Sequence, residues 1–253
     1  MSVLMLRPLS LGEALDASLT VYRRLFLQLL GVSLATQAAP LVMDVFIDAA
    51  GGRLLHLGFW ALEIVLALVL GALGTAASTF IVSEYYLGRS VGTRAALRHA
   101  REYLGRLVAL TFATGLMVGV GFIFFFIPGF MLFSGLIVAT PALVIENIAT
   151  ASDAMRRSWE LSRGHRRKLL AAYMLAFLIL LVPTLAIEWV ATTMGMEGDI
   201  LTVTGILLRF ASALLNILIY PFVYVLTTIL YYDLRVRKEG FDLEMLAATL
   251  KPA

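Results

Sequence analysis

PGFMLFSGLIVATPALVIENIATASDAMRRSWELSRGHRRK, residues 128–168, makes three physical statements in order. Pro128 cannot continue a helical hydrogen-bond ladder and Gly129 tolerates the turn beside it, so a helix is expected to break there. An apolar run, 130–145, is just long enough to cross a thin bilayer and stops at Glu146 and Asn147. Thr150 with Asp153 three residues on is then a capping-box pattern, and Ala151, Met155, Trp159 and Ser162 share one face of the helix it opens. Six basic side chains (Arg156, Arg157, Arg163, Arg166, Arg167 and Lys168) close the stretch. These residues speak of topology rather than chemistry.

The rest of the chain agrees. Of 253 residues, 60% are hydrophobic and 15% charged, and apolar stretches of about twenty residues recur, so the solvent is lipid. There is no cysteine, which excludes disulfides, thiolate metal sites and cysteine nucleophiles together. The first ten residues are too short and too weakly patterned for a cleaved signal peptide. Spans are expected at about 25–47, 57–83, 107–127, 128–145, 169–190 and 206–232. The expected fold class is all-α: a polytopic six-helix transmembrane bundle with short cytoplasmic amphipathic helices, forming a single integral membrane domain over 1–253. Ser10 and Glu13 form a further capping-box pattern, opening a short helix that ends at Arg23 and Arg24.

Orientation follows from the basic residues. Eighteen of the twenty Lys and Arg fall before the first span, in the second-to-third and fourth-to-fifth connections, or in the tail. The opposite connections hold only Arg53, and Arg209 lies inside the last apolar run. Both termini are therefore expected in the cytoplasm of a protein in the plasma or inner membrane. Ser10-Leu-Gly-Glu, Ser90-Val-Gly-Thr and Thr150-Ala-Ser-Asp each open a short basic segment before a two-span hairpin. That order suggests three parallel repeats, although any membrane protein needs capped, basic inner connections.

Three stretches carry a family resemblance. One is the PG, apolar run, Pro141-Ala-Leu-Val-Ile-Glu-Asn147 and Ala154-Met-Arg-Arg-Ser-Trp-Glu-Leu161 order; the others are Arg7-Pro-Leu-Ser-Leu-Gly-Glu13 and Tyr231-Tyr-Asp-Leu-Arg-Val-Arg-Lys-Glu-Gly-Phe-Asp242. The chain resembles the membrane domain of glycerophosphoryl diester phosphodiesterase and related stand-alone membrane proteins of unknown function, over almost its whole length. The resemblance implies a membrane module and is nearly silent on activity. Those enzymes carry their metal-binding carboxylates and histidines on a separate soluble domain. A barrel needs roughly two hundred residues or more, and only about twenty follow the last expected span, so the hydrolase activity is not expected here.

Candidate positions are few. Glu146, Arg157, Ser158 and Trp159 lie within the most recognisable motif of the resemblance. Glu146 either pairs with Arg156, Arg157 or an arginine of another connection, or stands solvated at the membrane edge. Trp159 sits in the headgroup region or packs beneath its helix. Glu63 and Arg209 each fall about nine residues in from the outer side, roughly 13 Å deep at 1.5 Å per residue. They read as an ion pair or interfacial anchors, or else as part of a substrate or proton pathway. Gly115 and Gly119 have the spacing of a close helix contact.

His56, His99 and His165 show no ligand spacing, and no nucleophile elbow or phosphate-cradling glycine loop is present. No catalytic residue, metal or cofactor is expected. The expected partners are the bilayer itself, anionic inner-leaflet lipids at on the order of 1 kcal/mol per basic residue, and an unspecified membrane protein, but no nucleic acid. The chain reads as a non-catalytic multi-pass membrane protein that anchors, scaffolds or regulates lipid- or envelope-related machinery. The alternative is a small transporter or lipid-translocating protein.

Overall fold

The computed structural model describes residues 7–49, 53–193 and 203–240, and among these there is no strand. Three units share one plan. α1 (Leu11–Arg24) precedes the pair α2 (Phe26–Ala49) and α3 (Arg53–Tyr86). α4 (Thr93–Glu102) precedes α5 (Leu104–Phe124) and a broken helix, α6 (Phe126–Leu136) with α7 (Ala139–Ile145). α8 (Ala151–Ser162) precedes α9 (Arg166–Thr193) and α10 (Val203–Glu239).

The short helices start where their caps place them. The Ser10 hydroxyl accepts the Glu13 amide at 3.3 Å while the Glu13 carboxylate accepts the Ser10 amide at 2.7 Å, a complete capping box for α1. The Thr150 hydroxyl accepts the Asp153 amide at 3.1 Å and opens α8. α4 departs from the Ser90-Val-Gly-Thr pattern: Gly92 is its cap and no side chain bonds there. Thr93 instead ties α4 to α2, donating to the Gln28 carbonyl at 2.9 Å.

The break expected at Pro128 and Gly129 lies three residues earlier, at Phe125, whose backbone is extended. Counting from that cap, Pro128 is the third residue of α6, where the amide has no intrahelical acceptor to lose. Pro141 stands third in α7 in the same way, after a break at Ile137 and Val138. The turn between α5 and α6 is tight because two glycines meet in it. A Cβ on Gly121 would lie 3.1 Å from the Gly129 Cα, and one on Gly129 would lie 2.5 Å from the Phe122 ring. Gly115 and Gly119, expected to pack, would meet nothing within 4 Å.

Among the described residues, five stretches are long and apolar enough to cross a membrane: Ala61–Tyr86, Leu104–Phe124, Phe126–Ile145, Arg166–Ile187 and Phe210–Glu239. Against the six expected spans, α2 contributes a shorter apolar stretch among the described residues, Phe26–Ala39. α10 runs seven residues past the expected exit at Tyr232, so its last two turns leave the apolar segment as helix.

Packing links the units in a cycle. α4 lies against α2 and α3, α8 against α5, α6 and α7, and α1 against α9 and α10. Each short helix thus docks on the hairpin of the unit before it, and α1 closes the ring on the last. The buried side chains gather at this end, in two clusters. One joins Val21, Leu29, Ile81, Leu107 and Leu143, and the other joins Ala14, Leu161, Leu169, Leu230 and Tyr231.

Candidate functional site at the basic end of the bundle

Asn147 explains how the site begins. It takes a left-handed conformation (φ 50), which ends α7, while the Ile148 amide reaches back to the Leu143 carbonyl at 3.1 Å. Glu146 is therefore held at the last turn of α7, facing α8. Arg157 on α8 meets it as a fork. Its Nε donates to both carboxylate oxygens at 3.0 and 2.8 Å, and its Nη2 donates to Oε1 at 2.9 Å.

Two turns of α10 complete the arrangement. The Tyr231 hydroxyl donates to Glu146 Oε1 at 2.8 Å, and Arg235 Nε lies 4.0 Å from the same oxygen. Glu239 accepts from Arg157 Nη2 at 2.5 Å and from Arg235 Nε at 2.9 Å. Two carboxylates and two guanidiniums thus alternate around a closed, neutral ring. Burial works against the charge of Arg157, and the carboxylates of Glu146 and Glu239 outweigh it, so its pKa lies above the ordinary value.

Ser158 and Trp159 act on the neighbouring helix. Ser158 is fully buried and donates to the Gly135 carbonyl at 2.8 Å; Ser162 donates to the same oxygen at 3.3 Å. Gly135 lies in the last turn of α6, where carbonyls lose their intrahelical donors, so the two hydroxyls take up an acceptor that the break frees. The Trp159 ring presses on that spot: a Cβ on Gly135 would come within 2.4 Å of it. Ala154, Ser158, Leu161 and Ser162 line the buried face of α8. The stripe through Ala151, Met155 and Trp159 is its half-buried flank, about one residue round the helix from the sequence reading.

A second clamp lies beside the first. Asp233 has a side chain only 1% exposed; it accepts from Lys168 Nζ at 2.5 Å, from Arg237 Nε at 3.1 Å and from the Leu9 amide at 2.7 Å. The Leu9 carbonyl accepts from Lys168 and from Arg237, both at 2.6 Å. The N-terminal segment, α9 and α10 are therefore tied at one carboxylate. His165 stands nearby, and burial, then the charge of Arg237, hold its imidazole below the usual value.

Of the six candidate positions, the structure brings Glu146, Arg157, Ser158 and Trp159 into one assembly. Glu63 is half-buried on α3, remote in sequence from these clamps. Arg209 belongs to α10, and its side chain, with the expected Glu63–Arg209 pairing, lies outside the described residues. Sequence reasoning missed Tyr231, Asp233, Arg235, Arg237, Glu239 and Lys168. Their signal was present: Asp233 with Arg237 and Arg235 with Glu239 are opposite charges four residues apart. Ending the last span at Tyr232 hid it.

Chemically, these carboxylates are committed to cations, and among the described residues no group of three or more His, Asp and Glu could hold a metal. No protein-family model, no curated protein and no solved structure matches the chain.

Proposed function

We propose that the chain is a non-catalytic membrane module that anchors or scaffolds lipid- or envelope-related machinery through its basic end. Six spans are part of the proposal, with α2 as the one beyond the five long apolar stretches; so are cytoplasmic termini and a kinship with the membrane domain of glycerophosphoryl diester phosphodiesterase. The observation that carries it is the pairing itself. The acidic groups that converge here, Glu146, Glu239 and Asp233, are bound by Arg157, Arg235, Lys168 and Arg237. A carboxylate held by a forked guanidinium has its oxygens occupied and its position fixed, which suits a clamp and not proton transfer. Exposed arginines remain around the clamps, including Arg23, Arg24 and Arg163, a surface that favours anionic lipid.

The transporter reading has its own support. A cleft of about 420 Å³ opens within the apolar part of the bundle, and Thr75, Thr111, Thr114, Thr140 and Tyr173 bring hydroxyls to its wall. Reconstitution separates the two readings. Vesicles containing the protein and a fluorescent phospholipid should show no faster exchange between leaflets than empty vesicles. Accelerated exchange, abolished by widening Thr114 to Phe, would establish translocation instead. Topology is tested by single cysteines in this cysteine-free chain: positions 163 and 239 should label from the cytoplasmic side and position 198 from the other. Label reaching 198 only from the cytoplasm would overturn the orientation.

A further inference from the structure

We propose that the elbow between α8 and α9 is a binding site for one anionic glycerophospholipid, its phosphodiester held by Arg163, Arg166 and Arg167 over a floor of Trp159 and Met131. The inference rests on the basic-end reading above and narrows it from a charged surface to a pocket.

The elbow is sharp because Gly164 adopts a left-handed conformation (φ 87), while the His165 amide bonds the Ser162 carbonyl at 2.9 Å. The turn swings three arginines around a concavity of about 490 Å³, lined by Met131, Trp159, Arg163, Gly164, Arg166 and Arg167. Among the described residues none of these arginines has an ion-pair partner, in contrast to Arg157 on α8 and Arg235 and Arg237 on α10. Like charges gathered without a counter-charge repel one another, and an anion at their centre relieves that repulsion.

Arg166 carries the argument furthest. Its guanidinium carbon stands 3.6 Å from the centre of the Trp159 ring, so one face is stacked and its donor edge is held in a fixed direction. Its Nε is buried without a hydrogen-bond partner. A buried donor left unmade is unfavourable, and a small turn of the guanidinium would present it to a phosphate oxygen in the concavity. α9 also begins at Arg166, so the amides of its first turn have no intrahelical acceptor and the positive end of a 28-residue helix points the same way.

The floor distinguishes a lipid from a free anion. Met131 is half exposed on the apolar helix α6 and lines the concavity together with Trp159, whose ring carries Arg166 on one face. Polar charge above and apolar surface below match the boundary between a headgroup and its acylglycerol.

The test uses the full chain in nanodiscs of phosphatidylcholine doped with phosphatidylglycerol, followed by native mass spectrometry of the lipid retained after detergent transfer. Arg166→Gln and the double change Arg163→Gln/Arg167→Gln should each lower retained phosphatidylglycerol by about tenfold. Arg156→Gln, on the exposed face of α8, should leave it unchanged. Equal loss in all three would show a diffuse charged surface, overturning the pocket while leaving the basic-end reading intact. Unaltered retention in every variant would overturn both. Inorganic phosphate that displaces the lipid at equal molarity would also overturn the assignment, because the floor would then contribute nothing. The double variant does not touch the Trp159 stack, so it decides the matter if Arg166→Gln fails to fold.

Discussion

Leu107, Leu143, Leu161, Leu169, Leu230 and Tyr231 are shut away at the end of the bundle where the short helices dock, whereas Ile123, Phe124, Phe125, Phe126 and Ile127 at the far turn of α5 and α6 are 69–81% exposed. The first end is packed like a soluble protein, with buried hydroxyls, forked ion pairs and aromatic contacts such as Tyr86 against Tyr232 at 5.2 Å. The second is apolar and open. In lipid there is no gain from hiding leucine from leucine-like tails, so apolar helices need not close on one another there. Polar side chains cannot be left that way, and they set the contacts where they occur. Tyr232 to Ser83 at 2.9 Å and Thr228 to Thr79 at 3.3 Å tie α10 to α3 on this rule.

Breaking the buried clamp should have the largest effect. Asp233→Asn leaves Lys168 and Arg237 facing each other and weakens the hold on Leu9, and should cost about 3 kcal/mol, less where water reaches the lysine. Thermal melting in detergent measures it, and proteolysis near Arg7 reports release of the N-terminal segment. Asp233→Asn with Lys168→Met should recover part of the loss, and strictly additive losses would sink the clamp.

Next comes a pair of glycines. Gly135→Ala places a methyl 2.4 Å from the Trp159 ring and should cost about 1–3 kcal/mol, with a red shift of Trp159 emission once Trp60 and Trp189 are replaced. Gly115→Ala meets nothing within 4 Å and should be neutral or slightly stabilising. If the two behave alike, the contrast between the ends is wrong.

The neutral ring should give less than the Asp233 clamp, since its members are 16–26% exposed. A double-mutant cycle of Glu146→Gln and Arg157→Met should show a coupling of about 1–2 kcal/mol. A coupling near zero would make the fork incidental. At the exposed cap of α1, the Ser10 amide and then Arg7 hold the Glu13 carboxyl down to about 2. A depressed acid stabilises the fold above its unfolded value of 4.5 and loses that contribution as pH falls towards 2. Hydrogen exchange in α1 should accordingly rise across that window, and Glu13→Gln should remove the dependence.

The smallest effect is expected at the open end. Ile127 is 81% exposed, so Ile127→Ser in detergent should shift stability by no more than about 0.5 kcal/mol. A large loss would mean that the far turn packs against something, and the two ends would no longer differ in kind.

Residues alone were enough for whatever depends on local chemistry. Ser10 with Glu13 and Thr150 set the starts of α1 and α8, and the apolar runs marked the helices that can span. Those signals act within a few residues, or through transfer to lipid, and need no partner. Glu146 and Arg157 could be suspected from the sequence because they lie eleven residues apart across one short turn. Tertiary structure decided the rest. Tyr231, Arg235 and Glu239 reach Glu146 and Arg157 across more than seventy residues, and Leu9 meets Asp233 across 224. No spacing rule connects such positions. Their meeting follows from the closure of the ring, in which each short helix docks on the preceding hairpin and α1 on the last. The α8–α9 elbow belongs to the same class: the sequence shows its arginines as one basic run, and only the fold separates those that are paired from those left facing a pocket.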